Sequence, residues 1–178
     1  MKRFFSYTFI TIGLLSLIFT SYLVWQRNSP RRLSFDINTY PSKNTLAVKR
    51  LPKRITIKKL GIDLPIYPAT LAKGQWEAST EGVSYLSSSV IPGEVGNSIL
   101  YGHNWTNLLG NLPNARPGQE IVIEFDDRSI KKFTIKYTTV VSPTDFQILD
   151  PSNDVRLTLY TCTGFFDSKR FVIVALLT

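Results

Sequence analysis

The sequence contains a single cysteine and a single histidine, and each stands beside an apolar stretch. Cys162 ends an alternating run at 157–162, Arg170 follows eight residues later, and His103 lies upstream in the motif Tyr-Gly-His-Asn. A thiol, an imidazole and a guanidinium are the minimum set for nucleophilic acyl transfer. They supply an attacking thiolate, a proton shuttle and a cation for the developing oxyanion. These three residues are therefore the candidate catalytic residues, and no carboxylate or amide is marked in the sequence as a partner for the imidazole.

Each candidate also has a plainer interpretation. A lone cysteine is often a small buried hydrophobic residue, and a lone histidine in a turn is often a solvated surface residue. Lys169 directly precedes Arg170 and could be mistaken for the functional cation. Only the geometry of the folded chain separates these interpretations.

The alternation of side chains in a strand predicts which residues accompany the thiol. Thr158 and Tyr160 share the face of Cys162, and Tyr101 shares the face of His103. The leucines on the opposite face of the cysteine strand suit the core. We therefore expect Tyr101, Thr158 and Tyr160 to line a substrate-binding groove beside the catalytic residues.

The elements that must position these residues are predicted to be short strands. From residue 54 onward, short β-branched apolar runs alternate with turn signals such as the Pro-Gly pairs at 92–93 and 117–118. This spacing predicts an all-β sandwich or barrel. Only 106–112 and part of 144–150 could form helices, of one or two turns each. The predicted strands are 55–57, 62–67, 83–86, 99–101, 121–125, 133–141, 157–161 and 171–177.

The N-terminus has a different character. Residues 4–25 carry no charged side chain, and a helix of that length rises about 33 Å, against a hydrocarbon core of about 30 Å. Tyr22 and Trp25 suit the membrane interface. We expect residues 1–25 to be an uncleaved transmembrane anchor, rather than a buried core helix or a signal peptide, whose apolar region is usually shorter.

The net charge of +8 is not spread evenly along the chain. Residues 1–60 carry 12 basic and 1 acidic side chains, a net charge of +11, whereas residues 61–178 carry 9 basic and 12 acidic ones, a net charge of −3. The basic excess therefore indicates a segment beside anionic lipid head groups and not a nucleic-acid groove. Residues 26–53 are polar, basic and interrupted by prolines, and we expect a flexible stalk there, with the catalytic domain at 54–178.

The motif Thr-Leu-Tyr-Thr-Cys at 158–162, the earlier Gly-His at 102–103 and an arginine that opens the next apolar strand resemble the sortase family. Sortases are cysteine transpeptidases that attach proteins to bacterial cell walls or to one another. The runs at 51–66 and 92–98 look like the opening hairpin of a sortase and the approach to its histidine. The resemblance implies a closed or nearly closed β-barrel of about eight strands, with one or two short helices. A single N-terminal anchor is typical of the housekeeping-like (A/D/E-like) classes.

The resemblance also implies a two-step reaction. Cys162 attacks a sorting signal of the Leu-x-x-Thr-Gly kind, Arg170 binds the oxyanion or the substrate backbone, and His103 moves the proton. The partners would be proteins that carry the signal, a cell-wall peptide amine or protein lysine as acceptor, and the plasma membrane, with the catalytic domain outside. Two alternatives stay open: a membrane-bound cysteine peptidase with water as acceptor, and a non-enzymatic surface-binding module. The L,D-transpeptidases are disfavoured, because Thr161 precedes the cysteine where they have glycine.

No cofactor and no metal are expected. Asp145, Asp150 and Asp154 lie in the loop before the cysteine strand, and some sortases use calcium. The spacing of these carboxylates fits no defined metal-binding loop, so a solvated acidic loop is the expectation.

Overall fold

The computed structural model describes residues 2–27, 29, 33–37, 40, 50–72 and 75–178. One long helix, α1, spans Lys2–Arg27. The strands are β1 (Pro52–Ile57), β2 (Ile62–Ala69), β3 (Leu71–Ala72), β4 (Gln75–Trp76), β5 (Val83–Leu86), β6 (Gly96–Gly102), β7 (Glu120–Phe125), β8 (Ile130–Val141), β9 (Val155–Thr163) and β10 (Lys169–Leu177).

Eight of these strands close into a barrel in the order β1-β2-β5-β6-β9-β10-β8-β7, and β3 and β4 form a small separate hairpin. Neighbouring barrel strands are antiparallel except for β2 with β5 and β6 with β9, which are parallel. Each predicted apolar run lies within one barrel strand. The prediction of a closed, eight-stranded, all-β barrel preceded by one helix is confirmed.

The short helices of the barrel domain are single 3₁₀ turns. The predicted region 144–150 contains such a turn at Phe146–Leu149, whereas the predicted region 106–112 only meets the turn Leu112–Asn114 at its last residue, and two more turns occur at Lys58–Leu60 and Phe165–Asp167. Pro113 within the turn Leu112–Asn114 lacks an N–H and cannot continue an α-helical hydrogen-bond ladder. These turns therefore connect strands and add no further layer to the fold.

The barrel wall separates two apolar clusters. The interior cluster draws aliphatic and phenylalanine side chains from all eight barrel strands. The outer cluster lies on the other side of β6, β9 and β10 and contains Leu33, Phe35, Ala69, Trp76, Leu86, Ile99, Tyr101, Leu149, Tyr160, Cys162, Val172 and Val174. Strand β9 supplies both, with Leu157 and Leu159 inside and Tyr160 and Cys162 outside, as the alternation predicts.

Helix α1 is long and apolar enough to cross a membrane between Phe9 and Gln26, and the side chains of that stretch are not buried against the barrel. A long hydrophobic helix whose side chains are not covered by protein suits a lipid environment. The helix extends to Arg27, two residues past the predicted anchor boundary.

Within the predicted flexible stalk at 26–53, residues 33–37 pack against the barrel. We call these residues the cover segment. Leu33 and Phe35 are buried against the barrel. The backbone N–H of Asp36 donates to the carbonyl of Pro143 at 3.0 Å. Most of the remaining stalk lies outside the described residues, and β1 begins at Pro52, two residues before the predicted domain boundary.

Candidate active site

Cys162 and Arg170 face each other across the β9–β10 hairpin. The two strands are antiparallel, and their register pairs Arg170 directly with Cys162, which places the two backbones about 5 Å apart. The residues between the two strands therefore form a hairpin loop. Lys169 pairs instead with Thr163 and is exposed, whereas Arg170 is 3% exposed. The register thus makes Arg170, and not Lys169, the cation beside the thiol.

His103 follows the strand on the other side of β9. Strand β6 runs parallel to β9, and its last residue, Gly102, pairs with Thr161. The residue after Gly102 is His103, and the residue after Thr161 is Cys162. The three candidate catalytic residues therefore lie next to one another, with His103 one residue past the end of β6, Cys162 on β9 and Arg170 on β10. The pairing of Cys162 with Arg170 puts their side chains on the same face of the sheet.

The imidazole of His103 is buried and stacks on the indole of Trp105, with ring centroids 4.4 Å apart and an interplanar angle of 11°. Burial lowers its pKa below the ordinary value, and the negative charge of Asp167 partly opposes that shift. Asp167 is held nearby, because the Nδ2 of Asn104 donates to its Oδ1 at 2.8 Å. No motif in the sequence marks this carboxylate, which lies in the β9–β10 loop.

The guanidinium of Arg170 connects the active site to two other segments. Its Nη1 donates to the carbonyls of Asp167 and Lys169, each at 3.0 Å. Its Nη2 donates to the carbonyl of Ser34 at 2.7 Å, and its Cζ lies 5.9 Å from the centroid of the Phe35 ring. Arg170 therefore binds the hairpin loop on one side and the cover segment on the other.

The loop between the nucleophile and arginine strands is strained and exposes two aromatic rings. Gly164 has φ +79°, and Phe166 and Asp167 follow with φ values of 50° and 58°. A left-handed conformation is unfavourable for these two residues and occurs preferentially at functional sites. Phe165 and Phe166 meet edge-on at 4.5 Å, and Phe165 is 83% exposed. The loop thus carries an exposed aromatic pair directly beside Arg170.

Two of the three predicted substrate-binding residues lie together. Tyr101 and Tyr160 stack with centroids 5.4 Å apart and an interplanar angle of 15°. The hydroxyl of Tyr101 donates a short hydrogen bond to the carbonyl of Glu77. Burial raises the pKa of both phenols above the ordinary value, so both are neutral. Their stacked rings form the floor of the outer face next to Cys162.

Thr158 lies elsewhere, in a buried polar network. Its hydroxyl donates to Oδ1 of Asn97 at 2.7 Å, and the Nδ2 of Asn97 donates to the carbonyls of Ile148 and Asp150 at 3.3 and 3.1 Å. Four residues separate Thr158 from Cys162, a distance of about 13 Å along a strand. Its hydroxyl therefore fastens the 146–150 turn to β6 and β9, away from the thiol.

The cover segment packs into the outer apolar cluster, which also contains the buried nucleophile. Leu33 and Phe35 belong to the same cluster as Cys162, which is 4% exposed. Trp76, on the small hairpin, packs edge-on against Tyr101 at 5.2 Å. Sequence analysis missed both contributions. The alternation of Leu33, Phe35 and Ile37 is the one signal that could have indicated a segment with a buried face.

The acidic residues of the 144–154 loop have local hydrogen-bond partners. Asp145 accepts from the backbone N–H of Ser142 at 2.9 Å, and Asp154 pairs with Arg156 at 3.2 Å. Among the described residues, no group of three or more histidine, cysteine or acidic side chains could hold a metal ion.

The strand register thus places Cys162 between the chain positions of His103 and Arg170 on a closed barrel. The family model of the sortase domain matches residues 55–178. The chain therefore belongs to the sortase family, whose members are cysteine transpeptidases.

Individual sortases share the fold at low sequence identity. Sortase A of Bacillus anthracis is 23% identical over 133 residues, which cover 72% of this chain and 60% of that protein's length. A lid mutant of sortase A from Corynebacterium diphtheriae superposes with a TM-score of 0.63 at 22% identity, covering 92% and 95% of the two chains. Sortase C-1 of Actinomyces oris gives a TM-score of 0.59 at 26% identity, covering 71% and 74%.

Proposed function

We propose that this chain is a membrane-anchored sortase transpeptidase that cleaves a sorting signal of the Leu-x-x-Thr-Gly kind and transfers the protein to an amine. The observation that carries the proposal is the register that sets Cys162 opposite Arg170 on β10 and next to the end of β6, where His103 follows. Membership of the sortase family supports the reaction class.

In the first step the thiolate of Cys162 attacks the carbonyl carbon of the threonine and a C–S bond forms. Arg170 donates hydrogen bonds to the oxyanion that develops or to the substrate backbone. The C–N bond to glycine then breaks, and protonated His103 gives its proton to the departing amine. Burial favours that transfer, because a lowered pKa makes the imidazolium a stronger acid.

In the second step an amine attacks the thioacyl carbonyl and His103 takes its proton. A new C–N bond forms, the C–S bond breaks and the thiolate is released. The acceptor is a cell-wall peptide amine or a protein lysine. A peptidase would use water at this step with the same residues, so the product separates transfer from hydrolysis.

The substrate-binding groove is assigned to the outer face around Tyr101 and Tyr160, whose rings lie beside the nucleophile. Thr158 remains a predicted substrate-binding residue. Its hydroxyl already binds Asn97, so we expect it to act through the shape of the groove and not through a hydrogen bond to substrate.

We assign α1 to the plasma membrane as a single-pass anchor, with the barrel outside the cytoplasm. The apolar length of the helix supports the span, and the slightly acidic body, net charge −3 over 61–178, supports peptide substrates over nucleic acid. The proposed divisions are the anchor at 1–25, the stalk at 26–53 and the catalytic domain at 54–178.

The decisive experiment incubates the purified chain with a peptide library and reads the mass of the acyl-enzyme. A thioacyl adduct on Cys162, followed by an amide product when an amine is added, establishes the transpeptidase. A hydrolysed peptide at every amine concentration identifies a peptidase instead. If no peptide gives an adduct with the wild type or with Phe35→Ala, which removes the buried ring that packs on Tyr160, the surface-binding module remains.

A further inference from the structure

The indole of Trp105 lies flat against the imidazole of His103. The two ring centroids are 4.4 Å apart, and the ring planes make an angle of 11°. Two neighbouring residues on one face of an extended strand are about 7 Å apart along it, so the strand alone does not produce this contact. The chain turns after β6 ends at Gly102, and that turn brings the two rings together.

The turn that carries the indole is fixed by its own backbone. The carbonyl of His103 accepts from the N–H of Leu109 at 3.1 Å. The carbonyl of Trp105 accepts from the N–H groups of Leu108 and Gly110 at 2.9 and 2.8 Å. A Cβ at position 110 would lie 2.7 Å from that carbonyl oxygen, so the glycine permits the close approach. Leu109 is fully buried in the interior cluster, and the turn therefore anchors the indole to the barrel.

The stack restrains the imidazole without occupying a ring nitrogen. Nε2 of His103 is buried and has no hydrogen-bond partner among the described residues. A hydrogen bond at a ring nitrogen is the common way to orient an imidazole, but it uses a nitrogen that proton transfer needs. A flat aromatic contact limits the tilt of the ring and leaves Nε2 free to give or take a proton.

The indole also acts on the charge of the imidazole. The face of a tryptophan attracts a cation within about 6 Å of its centroid, so the stack favours the protonated ring. Burial has the opposite effect and lowers the pKa of His103, whereas the negative charge of Asp167 raises it. The titratable or charged side chains level with His103 on the next two strands are Cys162 and Arg170. Unlike a carboxylate, the indole stabilises the imidazolium without adding a negative charge to the site.

We propose that Trp105 is a positioning residue for the base: its indole holds the plane of the imidazole and keeps the protonated ring populated for the departing amine. This role rests on the proposed transpeptidase reaction. A low pKa makes each imidazolium a stronger acid but leaves fewer of them at neutral pH, and the best balance lies near the working pH. Trp105 therefore offsets part of the effect of burial. In the second step the same contact holds the neutral ring as it accepts the proton of the incoming amine.

The direct test is an NMR titration of His103, the only histidine in the sequence, on the untagged full-length chain in detergent micelles. Fluorinated tryptophan replaces the natural residue during expression. Fluorine withdraws electron density from the ring face and hardly changes its shape, so the attraction for a cation weakens while the burial of His103 stays the same. We expect the pKa of the imidazole to fall with increasing fluorination, by about 0.5 in the most fluorinated protein, the value of one cation–π contact.

Trp105→Phe supplies the matched control. The fluorinated residues of that variant are Trp25 and Trp76, which contact other rings. Fluorination should therefore leave the pKa of its imidazole unchanged. A pKa that does not respond to fluorination in the unsubstituted chain, or that falls equally in both proteins, overturns the proposal.

Single-turnover kinetics test the positioning role. Trp105→Leu removes the flat contact. We expect the maximal rate of acyl-enzyme formation from a Leu-x-x-Thr-Gly peptide to fall by about 10-fold or more, a fraction of what a positioned acid–base group contributes. The peptide concentration at half the maximal rate should change little, since the indole contacts the base, and Trp105→Phe should recover most of the rate. Equal maximal rates in Trp105→Leu and the wild type, or a change in that concentration alone, overturn the positioning role.

The titration requires neither turnover nor a folded Trp105→Leu variant. A wild-type chain that forms no acyl-enzyme with any peptide defeats the transpeptidase proposal. The response of the His103 pKa to fluorination still decides, in that case, whether the indole stabilises the protonated imidazole.

Discussion

The two sides of the barrel wall around Cys162 are built from different chemistry. The interior cluster consists of aliphatic, alanine and phenylalanine side chains with Tyr85, whose hydroxyl donates to the carbonyl of Ser89 at 3.0 Å. The outer cluster contains tyrosine, tryptophan and the thiol, and the hydroxyl of Tyr160 lacks a partner among the described residues. The first is closed by the barrel itself, whereas the second is closed by residues 33–37.

The difference shows how one strand can serve two purposes. Successive residues of β9 point to opposite faces, so Leu159 packs in the interior cluster while its neighbour Tyr160 packs in the outer cluster, where the groove is proposed. Substitutions on the two faces should therefore separate stability from chemistry.

Removal of the nucleophile or the base tests that separation most severely. We expect Cys162→Ala and His103→Ala each to abolish transpeptidation, because each removes the only side chain of its kind in the sequence. The melting temperature should remain close to that of the wild type. Product formation at the wild-type rate by either variant, measured by mass spectrometry, contradicts the proposed mechanism.

Substitution of the cation should have the next largest effect. Arg170→Lys keeps the charge and loses the planar fork of donors, and loss of an oxyanion donor typically lowers turnover by ~10²–10³. Lys169→Ala is the matched control, since that side chain is exposed and pairs away from the thiol. A larger loss of kcat for Lys169→Ala than for Arg170→Lys would show that the wrong cation has been assigned.

A substitution on the interior face of β9 should lower the stability of the barrel and leave its activity unchanged. Leu159→Ala leaves a cavity in a fully buried position and should lower the free energy of unfolding by ~2–5 kcal/mol. Activity per folded molecule should stay unchanged. Phe35→Ala is the comparison on the outer face. It should lower the free energy of unfolding by less than Leu159→Ala does, because the cover segment can detach without opening the barrel. Urea denaturation followed by circular dichroism measures the free energy of unfolding of both variants. A larger loss for Phe35→Ala than for Leu159→Ala would show that the cover segment is part of the core.

The burial of His103 should give the barrel a small dependence of stability on pH. Its folded pKa lies below the ordinary value of 6.5, so between the two pKa values the unfolded chain binds more protons. Its contribution is therefore complete above about pH 6.5 and is lost as the pH falls toward the folded pKa. His103→Gln should flatten this part of the profile in urea titrations. An unchanged profile assigns the dependence to other groups.

The smallest expected effect concerns the loop carboxylate. Asp167→Asn removes the charge that raises the pKa of His103, so that pKa should fall further. Asparagine tolerates the left-handed backbone of that position, and the loop should keep its shape. A titration of the imidazole by NMR measures the shift, and an equal or higher pKa would show that the charge of Asp167 is screened.

The strands and the proximity of Arg170 to Cys162 were predictable because they depend on local signals, whereas the position of His103 depends on the parallel pairing of β6 with β9. Alternation along β9 assigns the faces, and a seven-residue connection between two apolar runs implies a hairpin that returns Arg170 to Cys162. The register that places them directly opposite each other then follows from the fold.

The closure of the outer face depends on contacts between distant parts of the sequence. The hydrogen bond from Arg170 to Ser34 joins residues 136 positions apart, and the one from Thr158 to Asn97 joins residues 61 positions apart. Neither hydrogen bond corresponds to a periodic pattern in the sequence. Leu33, Phe35 and Ile37 do alternate, but they lie in a basic, proline-interrupted stretch whose composition indicates a stalk.

The position of the cover segment also limits where the active site can work. Six peptide steps join Arg27, the end of α1, to Leu33, and a chain of that length reaches at most about 20 Å. With the segment seated and α1 in a bilayer, as proposed, Arg170 therefore stays close to the lipid surface. With the segment released, the 25 steps from Arg27 to Pro52 allow about 85 Å. In the proposed transpeptidase, the position of the cover segment thereby sets how far from the membrane the barrel can meet an acceptor.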